Sequence, residues 1–329
     1  MRIKMSFRVF TILLIIFTIS SILLTPLIGS ESFIAKDFWE PGIGQRILFD
    51  LRLPRILFAF LVGFSLAFVG TIFQALLRND LATPYTLGVS SGGALGAVLA
   101  IKLGFVFTII GFPTTVFFSI LGSTTTIWII YIIARGRSVL SPVTLILAGV
   151  TVSLFFSSLI LFIHYLADFT ETYRMIRWLM GGLQISGWNY SLSLLPFVII
   201  TFIYLYRQAG ALNIMTAGYE MALSKGVDVS QLQTRAFFGC SILVGIVVAF
   251  AGPIGFIGLI IPHLLRLLVG PDHKKLLLVA PVFGGVFLMW CDTLARIVIA
   301  PGELPVGVIT AMLGGPFFIW LLVRRKSRD

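Results

Sequence analysis

The sequence predicts an all-α polytopic membrane protein of about ten transmembrane helices, with an inverted internal repeat and both termini cytoplasmic. Three observations carry this. Hydrophobic residues are 58% of the 329 and charged residues only 11%, with a mean hydropathy of +1.05, against about 25% charged in a soluble domain. Apolar runs of spanning length recur between polar or Gly/Pro breaks. The basic residues crowd the segments that would share one side of a bilayer.

The runs occupy 7–28, 54–77, 84–103, 106–134, 142–166, 190–207, 232–251, 256–270, 276–299 and 305–323. The first follows Arg2, Lys4 and Arg8. It is longer than a signal-peptide core of about 7–15 residues and ends in no small-x-small cleavage site, so it is read as a retained transmembrane helix. Of the following spans, the even-numbered ones end in or beside cations. Arg78 follows the second, Arg135 and Arg137 the fourth, Arg207 the sixth, Lys274 and Lys275 the eighth, and Arg324, Arg325, Lys326 and Arg328 the tenth. With Lys225, Arg235 and Arg266, 16 of the 24 basic residues fall on that side, the cytoplasmic one by the positive-inside rule. The other 8 are Lys36, Arg46, Arg52, Arg55, Lys102, Arg174, Arg177 and Arg296. Acidic residues balance that outer set, so the whole net charge of +11 belongs to the cytoplasmic face and its anionic lipids. No basic stripe with interleaved aromatics speaks for nucleic acid.

The repeat pairs Gly63-x-x-x-Ala67-Phe68-x-Gly70-x-Ile72 with Gly245-x-x-x-Ala249-Phe250-x-Gly252-x-Ile254, at an offset of 182 residues. The first copy would run inward and the second outward, the inverted arrangement of many transporters. Small residues that recur to let helices pack closely are the alternative source of the pattern.

Catalytic constellations are lacking. His164, His263 and His273 fit no HExxH pattern, and neither GxSxG nor a GxxxxGK[ST] loop occurs. An intramembrane hydrolase or transferase therefore has no nucleophile–base pair to use. Cys240 and Cys291 each stand alone in an apolar run and read as small core residues. Proton- or sodium-coupled carriers keep buried ionisable relays; here Asp292 and Arg296, four apart, read as a local ion pair. A secondary transporter with inverted repeats stays as the alternative. A transporter with neither coupling groups nor an ATPase of its own must borrow a motor. The hydrophilic stretch 207–235 is the candidate contact. Met215, Tyr219, Met221 and Leu223 are apolar positions in a loop, and Gly218 and Gly226 stand where helix C-caps would leave two short helices.

Long motifs now add a resemblance. Gly252-Pro-Ile-Gly-Phe-Ile-Gly-Leu-Ile-Ile-Pro-His-Leu-Leu-Arg266 and Gly302-Glu-Leu-Pro-Val-Gly-Val-Ile-Thr-Ala-Met-Leu-Gly-Gly-Pro-Phe-Phe-Ile-Trp320 resemble hallmarks of the permease family for vitamin B12, haem and ferric siderophores. So do Leu51-Arg52-Leu-Pro-Arg55, Gln74-Ala-Leu-Leu-Arg-Asn79, Leu87-Gly-Val-Ser90 and Trp178-Leu-Met-Gly-Gly182. The resemblance covers the chain from near residue 50 to its end. It implies a single permease domain over 1–329, with repeat halves of roughly 54–166 and 232–323 and a coupling loop at 208–230. It further implies a homodimer in the cell (inner or plasma) membrane, with a pathway on its axis. Two ATP-binding subunits would sit on the cytoplasmic side and a substrate-binding protein on the outer side. The chain itself would bind no cofactor, ATP and magnesium belonging to the partner ATPase.

Residue by residue, the resemblance assigns Leu212, Gly218, Tyr219, Glu220, Ala222, Leu223 and Gly226 to ATPase coupling. It assigns Arg52, Arg55 and Arg296 to docking of carboxylates on the binding protein; snorkelling to headgroups is the other use such arginines have. Asn79 and Leu81 match a cytoplasmic gate, with a second gate at Ser141 and Pro142. Two departures mark this chain: Asp80 replaces the usual proline after Asn79, and Ser141-Pro142-Val143 stands where small polar residues occur in the cobalamin branch. The cargo that the resemblance implies is a metal chelate, a ferric siderophore, haem or cobalamin. His164, Tyr173, Met175, Trp178 and Met180 near the outer mouth are candidate contacts, or an interfacial aromatic belt.

Overall fold

The computed structural model of the protein describes residues 6–29, 42–105, 107–109, 111–135, 140–184 and 187–326. Arg2, Lys4, Lys36, Arg137 and Arg328 lie outside the described residues.

The chain begins with α1 (Phe7–Leu24). A short α2 (Ile43–Arg46) runs through a π-helical turn, Ile47–Arg52, into α3 (Leu53–Leu77). α4 (Val89–Lys102) follows, then a two-stranded antiparallel hairpin, β1 (Thr108–Ile109) and β2 (Phe112–Pro113), then α5 (Thr114–Ala134) and α6 (Pro142–Tyr165). α7 (Phe169–Leu179) is short. α8 (Asn189–Tyr206) leads to the paired short helices α9 (Ala209–Ala217) and α10 (Tyr219–Ser224). α11 (Val229–Ala251), α12 (Ile257–Val269), α13 (His273–Ile297) and α14 (Val306–Lys326) complete the chain. Among the described residues, 7 apolar helical stretches are long enough to cross a membrane: α1, the stretch from α2 through α3, α5, α6, α8, α11 and α13. α4, α12 and α14 are apolar but shorter.

Each apolar run of the sequence meets one of these helices, and the boundaries shift where polar groups decide them. α4 begins at Val89 rather than at 84. Thr83 and Thr86 exchange backbone-to-hydroxyl hydrogen bonds of 3.1 Å, holding a turn that Gly88, at φ +72°, ends. α5 begins at Thr114 rather than at 106, because the hairpin takes the residues before it. α11 and α13 begin earlier than their apolar runs. The Asp228 carboxylate accepts from the Gln231 amide at 2.9 Å and that of Asp272 from the Lys274 amide at 2.9 Å, which caps each helix in its polar approach. α7 is a helix that apolar-run reading does not find. A capping box starts it, the Asp168 side chain accepting from the Glu171 amide and the Glu171 side chain from the Asp168 amide.

α3 is the centre of the core: nearly every residue from Ala59 to Leu77 is buried. It packs on α13 and α12 through missing side chains. A Cβ on Gly63 would lie 2.3 Å from the Gly284 carbonyl oxygen, and one on Gly70 2.0 Å from that of Gly258. α4 and α5 meet in the same way at Gly92, Gly96 and Gly122. Close backbone approach is how helices gain contact where lipid removes the hydrophobic drive between them. α1 and α6 ring the outside, with Ile16, Leu147, Leu154 and Leu161 more than half exposed. Both cysteines are buried.

Candidate coupling, gating and docking sites

The ion pairs of the bundle gather at its two ends. At one end Pro54 opens α3 and sets Arg55 beside the last turns of α13. Arg55 grips Asp292 with two edges of its guanidinium, Nη2 at 2.8 Å and Nε at 2.9 Å. Its third nitrogen, Nη1, donates to Glu303 at 3.0 Å. Arg296, one turn on from Asp292, approaches the same carboxylate at 3.4 Å and donates to Thr293. Arg52 donates to the Pro26 carbonyl at 2.8 Å, just past the end of α1. Two in-chain carboxylates thus face Arg55 and Arg296, and the Asp292 side chain is 2% exposed. A buried charge is tolerable only when paired and hydrogen-bonded in this way.

The network runs on sideways. Glu303 also accepts from Gln184 at 3.2 Å, and the Gln184 carbonyl accepts from Arg177 of α7. Lys102, at the end of α4, reaches Glu171 of α7 at 2.8 Å. That ammonium and the Asp168 amide hold the Glu171 carboxyl below its ordinary range. The segment after α7 is fixed by its backbone: the Gly182 amide donates to the Ala251 carbonyl at 2.8 Å and the Gly307 amide to the Gly181 carbonyl at 3.3 Å. Two cavities open here. One, of about 530 Å³, is lined by Phe105, Phe107, Trp178 and Phe250 with Arg174 and Arg177; the other, of about 610 Å³, by Tyr173, Ile176, Met180, Gln184 and Glu303.

At the opposite end the chain turns at Asn79, whose side chain accepts from the Leu81 amide at 2.9 Å. Asp80 forms an ion pair with Arg266 at the end of α12. Arg266 also donates to Gln74 at 2.8 Å, and Gln74 in turn donates to the Gly258 carbonyl at 3.3 Å. Leu81 is 45% exposed and lines a cavity of about 310 Å³ with Tyr85, Phe256, Leu259 and Phe318. Ser141 caps α6 by accepting from Thr144, and Pro142 is the first residue of that helix.

α9 and α10 lie at this end too. Gly218, at φ +149°, separates them, and Gly226, at φ +75°, turns the chain after α10. Asn213 ties α9 to the start of α13, donating to Asp272 at 2.7 Å and accepting from the His273 amide at 2.7 Å. Partial burial works to raise the Asp272 carboxyl, but the Asn213 hydrogen bond, the Lys274 amide and the two neighbouring lysines bring it below its ordinary value.

Leu212, Ala222 and Met215 are buried, because α9 and α10 are amphipathic and lay these residues on α3, α11 and α13. The outward face is Tyr219, Glu220, Met221 and Leu223. Met175 is fully buried, so only Tyr173, Trp178 and Met180 of the outer-mouth candidates line a cavity. Arg52, Arg55 and Arg296 do share one end, but each is turned inward on a partner within the chain. The Asp292–Arg296 pair expected from spacing is present, and Arg55, 237 residues from Asp292, completes it. Glu303 and Gln184 are partners that local spacing does not reveal. The one available signal was an acidic residue within the Gly302-Glu-Leu-Pro motif at the head of an apolar run, where a charge needs a partner.

The model of the FecCD transport family matches residues 12–324. The hemin transport system permease protein HmuU of Yersinia pestis is 36% identical over 305 residues, 91% of this chain and 91% of the relative. The vitamin B12 import system permease protein BtuC of Yersinia enterocolitica is 36% identical over 308 residues, 93% of this chain and 90% of the relative. A solved structure assigned to the metal-chelate type of ABC transporter, in an inward-facing conformation, superposes with a TM-score of 0.85 at 31% identity. That match covers 94% of this chain and 97% of the solved one.

Proposed function

This chain belongs to the FecCD transport family, and from that premise we propose that it is the transmembrane permease subunit of an ATP-binding-cassette importer. Its cargo is a metal chelate, a ferric siderophore, haem or cobalamin, taken from an external binding protein into the cytoplasm. The observation that carries the reading is α10. Its Tyr219, Met221 and Leu223 are 39–51% exposed on a short helix at the end of the molecule away from Arg55. An apolar helix face in an aqueous loop fits a groove on a partner, and the chain has no nucleotide-binding loop of its own.

The full reading has ten crossings, both termini cytoplasmic, and one permease domain over 1–329 acting as a homodimer with two ATPase subunits. The inverted repeat is supported by packing: α3 lies on α12 and α13 as α11 lies on α4 and α5. The two shortened helices, α4 and α12, each follow an irregular segment, as expected where a pathway crosses a repeat interface. Leu81 and Asn79 form the inner gate, with Ser141 and Pro142 opposite in the dimer. The Asp80–Arg266 pair ties the gate turn to α12, in the position where the family has a proline. Arg52, Arg55 and Arg296 form the docking end. An ion-coupled carrier could use Asp292 alone, and two arginines hold that carboxylate.

Two expected results test the reading. In purified complexes, Gly218→Trp is expected to abolish ATP-driven uptake, in vesicles, of whichever of the three chelates the wild type takes up, while the protein stays in the membrane. Normal uptake at normal expression would remove α9 and α10 from coupling. In a background without Cys240 and Cys291, a cysteine at Ser224 is expected to label only from the cytoplasm and one at Thr172 only from outside. Labelling from the reverse side at either position would mean that the crossings are miscounted.

A further inference from the structure

Arg55 is engaged in two unlike ways. Nε and Nη2 are held on Asp292, whose side chain is 2% exposed, while Nη1 meets Glu303, whose side chain is 34% exposed. The first contact is closed to any outside group. The second reaches the surface, and its carboxylate comes from the irregular segment between α13 and α14 rather than from a helix. Glu303 also has somewhere to go, since it lines the cavity of about 610 Å³ bounded by Tyr173, Ile176 and Met180 of the α7 end.

We propose that Glu303 is an in-chain stand-in for a carboxylate of the binding protein: it occupies Nη1 of Arg55 in the undocked permease, and docking displaces it. This rests on the docking role given to Arg55 above. The exchange conserves charge. With Glu303 in place, Asp292 and Glu303 face Arg55 and Arg296; when Glu303 swings away, an incoming carboxylate restores the balance. An exposed ion pair is worth little, so an external carboxylate can compete for Nη1, whereas it cannot compete with the desolvated Asp292 contact.

Displacement has a second consequence. Glu303 accepts from Gln184 at 3.2 Å, and Gln184 accepts from Arg177. Taking Glu303 away from Gln184 removes a side-chain hold on the segment that leads out of α7, beyond its backbone bonds at Gly181 and Gly182. Docking is thereby read at α7, which borders both outer cavities.

The test uses the permease–ATPase complex in nanodiscs, its binding protein, and a fluorophore on a cysteine at Thr172 of α7. Glu303→Gln is expected to speed association about two- to fivefold at low salt, with the gain shrinking as ionic strength rises. It is also expected to give the undocked label the mobility that the wild type reaches only on docking. Added positive charge alone would speed association without moving the label, and that outcome overturns the exchange. So does unchanged or slower association by Glu303→Gln where Arg55→Gln slows it; the docking role then stands and the stand-in falls. Unchanged association by Arg55→Gln overturns the docking role, and the stand-in with it. Should Glu303→Gln fail to assemble, Glu303→Asp carries the same test, because the shorter side chain weakens its hold on Arg55 and keeps the charge.

Discussion

Asp292→Ala is expected to destabilise the protein by about 3–5 kcal/mol, the range for removing one partner of a buried charge pair. Two arginines depend on this carboxylate, with side chains 12% and 8% exposed for Arg55 and Arg296. Neither can reach water without unpacking the ends of α3 and α13. Asp292→Asn keeps the shape and one acceptor and should cost less. Adding Arg296→Met to Asp292→Ala should recover part of the loss, since it removes one of the two stranded cations; the recovery measures their coupling. Thermal unfolding of the purified protein in detergent is the measurement. A wild-type midpoint for Asp292→Ala would show that these arginines find other partners.

Gly70→Val is expected to abolish transport and most of the folded yield. Even the first added carbon would sit 2.0 Å from the Gly258 carbonyl oxygen and 2.5 Å from its Cα. Both obstacles are backbone, so the helices must part. Overpacking costs about 1–3 kcal/mol in cores that can adjust, and this contact has no flexible side chain to give way. Parting α3 from α12 would also break the Gln74 hydrogen bond to Gly258 and disturb Arg266 on Gln74. Gly182→Ala is the control, with nothing within 4 Å of its added carbon. Wild-type transport by Gly70→Val would mean that α3 and α12 do not meet at this point in the working protein.

The helices were legible because twenty or so apolar residues in a row have few alternatives. Their first turns were not, because Asp228, Asp272 and the Thr83–Thr86 pair set them through single hydrogen bonds that hydropathy does not register. α7 escaped for the converse reason: its face towards Lys102 is polar, and only the Asp168-x-x-Glu171 spacing announced it. At the sites, Gly218 and Gly226 marked the short helices from sequence, since the backbone there takes φ values that suit glycine. The partners of Arg55 stand 237 and 248 residues away in the chain. No local spacing rule reaches so far, and an arginine that could face outward was in fact held inward by two acids from other elements.

α13 gives the two ends a common mechanical part. Its first residues are tied to α9 through Asn213, and Asp292, near its other end, is tied to α3 through Arg55. At about 1.5 Å per residue, the 19 steps from His273 to Asp292 span roughly 28 Å. A lean of about 6° pivoting at Asn213 therefore carries the Asp292 carboxylate sideways by about 3 Å, the length of its bonds to Arg55. The helix is a tie-rod anchored in both walls, and Arg55 cannot keep its grip unless it travels with the rod. In the proposed assembly, a push on α9 from the motor and a pull on Arg55 from the delivering protein are loads on the same member.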